Sequence, residues 1–83
     1  MADVAARVTA KIMGEDYVIR ARASVEHVME VAAKVDESMR RIAASDPRLS
    51  LRDVAVLAAL NLAEELHQAG ARQRQLVSII ETM

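Results

Sequence analysis

The residues able to do chemistry are few. The chain has two histidines, His27 and His67, and no cysteine. His27 stands three residues before Glu30, and Glu64 three before His67, so each pair shares a helix face. A Glu-x-x-His pair holds metal in di-iron helix bundles only with further carboxylates turned inward. Two solvated helix surfaces are the better reading of these pairs. Without a thiol, and with no serine set beside a histidine and a third orienting group, no nucleophilic site can be assembled. The two glycines, Gly14 and Gly70, are isolated, so no phosphate-cradling loop forms. The chain is therefore read as a non-enzymatic protein without cofactor, metal or small-molecule substrate.

Charge offers one local feature. Arg40, Arg41, Arg48 and Arg52 surround the segment from Ser45 to Ser50. Such a cluster is either solvated surface or a docking point for an acidic partner, because loops on rigid scaffolds often carry function. The net charge is −1, which excludes a global basic field drawing the chain to nucleic acid or anionic lipid. No apolar stretch reaches the roughly 20 residues that span a bilayer. Met1 to Ala10 lacks the apolar run of a signal peptide. The expectation is a cytoplasmic protein.

The elements that carry these residues are legible from periodicity. Val8, Ala10 and Ile12 alternate with Arg7, Thr9 and Lys11, a half-buried strand. Tyr17, Ile19 and Ala21 alternate with Val18, Arg20 and Arg22, a second strand. Gly14 between them suits a tight turn. With Gly14 and Glu15 in the turn, Ile12 faces Tyr17, Ala10 faces Ile19 and Val8 faces Ala21. An even loop keeps apolar residues on one face; an odd loop mixes the faces. Ser24 is the N-cap of a first helix that ends near Ala44. Its apolar stripe is Val28, Ala32, Val35, Met39 and Ile42. Ser45-Asp46-Pro47 breaks that helix, and Ser50 caps a second one.

The second helix carries most of the information. Val54 to Leu60 is apolar nearly all round, and a helix of that kind is covered on several sides. One short helix and one hairpin cannot cover it, so a second copy is expected to do so. A chain of 83 residues without disulfides, tryptophan or phenylalanine also needs such support. The expected dimer core is Val54, Leu57, Ala58, Asn61 and Leu62, with Asn61 bonded to backbone or to its mate across a two-fold axis. Further along, Leu66, Ala69, Gln73, Leu76 and Ile80 follow a heptad seam. Continued to the end, the helix approaches 48 Å at about 1.5 Å per residue, longer than a small head can cover. The chain thus divides into a hairpin-helix head, residues 1–63, and a coiled-coil extension, residues 64–83, in an α+β homodimer.

A strand before two helices, dimerised, is also the plan of ribbon-helix-helix DNA-binding regulators, with Arg7, Thr9 and Lys11 as the groove-reading face. The neutral charge and the second strand speak against it. A generic coiled-coil adaptor is a further alternative.

The run Val56-Leu57-Ala58-Ala59-Leu60-Asn61-Leu62-Ala63-Glu64-Glu65-Leu66 resembles the signature of the ZapA family of bacterial division proteins, above all Ala-Ala-Leu-Asn followed by Glu-Leu. Val8 to Ile12 with Met13-Gly14 resembles that family's first strand and turn. The resemblance in element order covers Arg7 to about Ala71. It implies a cytoplasmic protein, located at the midcell division site, that binds FtsZ and cross-links its filaments as a dimer or tetramer. It also implies a filament contact through a basic residue in the turn before the second helix, for which Arg48 is the nearest match.

Overall fold

The computed structural model describes residues 6–82, and side chains for residues 6–70. It contains strand β1 (Ala6–Ile12), strand β2 (Glu15–Ala21), helix α1 (Val25–Ser45) and helix α2 (Leu51–Thr82). The two strands form one antiparallel hairpin.

The hairpin differs in register from the expectation. Met13 and Gly14 form the turn, so Ile12 pairs with Glu15, Ala10 with Tyr17, Val8 with Ile19 and Ala6 with Ala21. The shift is two residues, which preserves parity, so the apolar side chains still share a face. The turn moved because both its residues take positive φ, 53° at Met13 and 80° at Gly14. Two consecutive left-handed residues make the type I′ turn whose twist matches a two-residue hairpin.

Helix α1 obeys its sequence signals. The Ser24 side chain accepts a hydrogen bond from the His27 N–H at 3.1 Å. Val28, Ala32 and Met39 are buried, and Val35 and Ile42 half-buried, so the stripe faces inward as read. After Asp46, whose N–H still bonds the Ile42 carbonyl, the chain turns. The Ser50 hydroxyl then accepts from the Asp53 N–H at 3.1 Å and opens α2. That helix runs unbroken past residue 63, so head and extension share one element.

Helix α1 is the centre of the fold, packed on β1 on one side and on α2 on the other. The core is small. Met39 meets Val54 and Ala58, with Ile12, Met13, Val35, Ile42, Ala43 and Leu49 around them. The molecule measures 51 × 45 × 15 Å, and its shortest dimension barely exceeds the 10–12 Å diameter of one helix. Its radius of gyration is 16.8 Å, where a compact chain of this length has about 12 Å. Its exposed area is 6900 Å²; a compact monomer of this mass exposes about 4,900 Å². A slab one layer thick cannot enclose its own apolar residues.

Candidate partner-binding and self-association surfaces

Helix α2 sorts its all-round apolar segment into two faces. Val54 and Ala58, four residues apart, turn inward, each 2% exposed. They meet α1 of their own chain, so these two expected dimer-core residues belong to the protomer's core. On the opposite side Val56, Ala59, Leu60 and Ala63 follow one another at steps of three, one and three, an unbroken outward row. Val56 is 53% and Leu60 61% exposed, and Ala59 and Ala63 are also open. Leu57 and Leu66, both exposed, flank this row on opposite sides of the helix. The row escaped the sequence reading because every residue of Val54–Leu60 is apolar, so periodicity inside that stretch cannot distinguish in from out.

Asn61 is exposed and Leu62 half-buried. Both border a groove between the helices that Ser38, Arg41 and Glu64 also line. Of the expected seam, Leu66 and Ala69 are exposed within the protomer. The side chains of Gln73, Leu76 and Ile80 lie outside the described residues.

The four arginines are not gathered into one patch. Arg40 donates from Nε to Asp36 Oδ2 at 2.9 Å. Arg41 donates to Glu37 Oε1 at 3.2 Å, one helical turn away. Arg48 donates to Asp46 Oδ1 at 3.1 Å, and its backbone N–H bonds the same oxygen. Arg41 borders the groove beside Asn61 and Glu64, whereas Arg52 borders another groove with Met13, Tyr17 and Leu51. Three of the four charges thus have an acidic neighbour, an arrangement invisible to a count of arginines around a loop. Of the three paired arginines Arg48 has the most exposed side chain, at 91%, and its Asx-type backbone bond to Asp46 closes the turn beneath it.

Asp36 is a residue that sequence reasoning missed. Its Oδ1 accepts from the Met13 N–H at 2.8 Å, joining α1 to the hairpin turn. That backbone hydrogen bond, and then Arg40, hold its carboxyl below the ordinary carboxylate value. The only sequence signal was an acid beside the apolar stripe of α1.

His27 and His67 are both exposed. Among the described residues no group of three acidic, histidine or cysteine side chains gathers to hold a metal. No helix among them is long and apolar enough to cross a membrane. Strand β1 is paired along its whole length with the chain's own β2, whereas a ribbon-helix-helix dimer pairs its strands between copies.

The family described as "Cell division protein ZapA" matches residues 8–83. Over 59 residues the chain is 41% identical to the cell division protein ZapA of Geobacillus kaustophilus, covering 71% of this chain and 65% of that protein. It is 37% identical to the ZapA protein of Halalkalibacterium halodurans over 60 residues, 72% of this chain and 66% of the relative. These matches span about two thirds of the relatives' length. Among solved structures, the chain is similar to a ZapA mutant dimer from Geobacillus stearothermophilus, with a TM-score of 0.72 and 31% identity over 93% of this chain and 90% of that one.

Proposed function

The chain belongs to the ZapA cell division family, and we propose that it acts as a non-enzymatic homodimer that binds FtsZ and cross-links its filaments at midcell in the cytoplasm. The observation that carries this reading is the outward row of α2. Val56, Ala59, Leu60 and Ala63 form an apolar face on a slab too thin to cover it, and a second copy covers it best. The solved relative is itself described as a dimer.

Symmetry then supplies the mechanism. A two-fold dimer displays two copies of every surface. Two modest contacts to a repeating polymer reinforce one another when geometry lets both engage, and one dimer touching two filaments joins them. No catalytic step is needed. Arg48 is the proposed filament contact: its side chain is 91% exposed in the turn, whereas Arg40 and Arg41 are paired along α1 and Arg52 borders another groove. The seam through Leu66, Ala69, Gln73, Leu76 and Ile80 would extend the pairing as a coiled coil.

Co-sedimentation with polymerised FtsZ tests the proposal. The chain should pellet with filaments and thicken them into bundles, and Arg48→Glu should lower the amount pelleted. Absence of pelleting and of bundling at low salt would refute it.

A further inference from the structure

The hairpin carries a second unpartnered surface, the outer edge of β2. The turn at Met13-Gly14 decides which backbone groups point there. Ile12 and Glu15 close the turn, and hydrogen-bonded pairs then alternate, so Ala10 with Tyr17 and Val8 with Ile19 exchange their bonds inside the hairpin. Asp16, Val18 and Arg20 consequently direct their N–H and C=O groups away from β1. Among the described residues no element pairs with that edge. It is seven residues long and free of proline and bulge, and Val18 at its middle is 55% exposed. Unprotected edges of this kind are templates for strand addition.

The residues on this edge complement themselves. We propose that β2 pairs antiparallel with β2 of a second copy about a two-fold axis through Val18, giving a continuous four-stranded sheet. In that register Val18 meets the partner's Val18. Asp16 meets the partner's Arg20, and Arg20 meets the partner's Asp16. On the other face Tyr17, 42% exposed in the protomer, lies against the partner's Ile19, an aromatic and β-branched pair that sheets favour. Centring the axis on Asp16 opposes two carboxylates, and centring it on Arg20 opposes two guanidiniums. Centring it on Ile19 sets Val18 against the partner's Arg20. Only the Val18 register matches apolar to apolar and acid to base.

A flaw within the protomer points the same way. Arg20 sits directly opposite Arg7 across the hairpin, and like charges opposed on one face are unfavourable. Among the described residues neither arginine has an acid within ion-pairing distance. Asp16 has only a long contact of 3.8 Å to Lys11, with both side chains about two-thirds exposed, so it is free to turn outward. The second copy brings an acid to Arg20 and an arginine to Asp16. This edge is separate from the outward row of α2, because α1 packs on β1 and α2 while β2 lies beyond β1. Used together, the two surfaces link dimers into longer assemblies, and the edge contact requires no filament.

The chain has no cysteine, which makes a direct test possible in the chain as a whole. Val18→Cys should form disulfide-linked pairs under oxidised glutathione, seen on a non-reducing gel, while Ile19→Cys and Arg20→Cys should not. In the Val18→Cys background, Asp16→Arg or Arg20→Asp alone turns two attractive pairs into repulsive ones and should slow cross-linking about tenfold. The double exchange, Asp16→Arg with Arg20→Asp, should restore it. Arg20→Asp also replaces the opposition to Arg7 by an attraction, so a loss of cross-linking there cannot be ascribed to a weakened hairpin. Cross-linking at Val18 no faster than at Ile19, or indifference to the single charge reversals, would overturn the proposal.

Discussion

Asp36 holds the Met13 N–H at 2.8 Å across 23 residues of sequence. The bond clamps the first residue of a left-handed turn to the middle of α1. It also places Asp36 beside Arg40, so one carboxylate aligns hairpin, helix and cation together.

Stability should therefore depend on pH through this carboxyl. Its folded pKa lies below its ordinary value of 3.8. A group with a depressed folded pKa stabilises fully above the unfolded value, and loses that contribution as pH falls toward the folded one. Thermal melts at fixed protein concentration should show this contribution intact at neutral pH and fading below about pH 4. Asp36→Asn should melt lower at neutral pH and lack that acid-side decline. Parallel curves for the two proteins down to pH 2 would mean the clamp contributes nothing.

The two faces of α2 should separate folding from association. Val54→Ala removes buried methyl groups from the contact with Met39 and should cost about 2 kcal/mol in urea unfolding. Leu60→Asp should leave the helical circular dichroism of the concentrated protein largely intact while lowering the mass seen by light scattering to that of a single chain. A Leu60→Asp protein that keeps its dimer mass would place the self-association surface elsewhere.

Gly70 lies in the interior of α2, and an added Cβ there would meet nothing within 4 Å. Gly70→Ala should therefore raise stability by about 1 kcal/mol through helix propensity alone. Urea titration measures it. A loss of stability would show that a neighbouring helix from another copy approaches closely enough to need the glycine.

Much of the fold is legible in the linear order of residues. Alternation marked both strands, Ser24 and Ser50 marked the helix starts, and Pro47 marked the break between α1 and α2. These are local signals: capping, φ restriction and side-chain periodicity act within a few residues, so they survive in the linear order. Even parity in the hairpin was legible, because one buried face permits no other. The turn position was not. Met13 can adopt a left-handed conformation with its N–H bonded by Asp36, a residue that only folding brings near.

The surfaces followed the same division. The sequence alone determined that α2 carries an apolar stretch, Val54–Leu60, wider than one helix face. Tertiary structure decided which side of α2 faces inward and which outward. Placing α1 against Val54 and Ala58 turns Val56 and Leu60 outward, a choice that a uniformly apolar stretch leaves open. The arginine pairs, by contrast, are local. Helical and turn geometry sets Asp36, Glu37 and Asp46 four, four and two residues before Arg40, Arg41 and Arg48, so spacing along the chain already places each acid beside its arginine. Packing decided the long-range contact instead: it brings the Met13 N–H to Asp36 across 23 residues, because such a bond depends on how elements meet rather than on position in the chain.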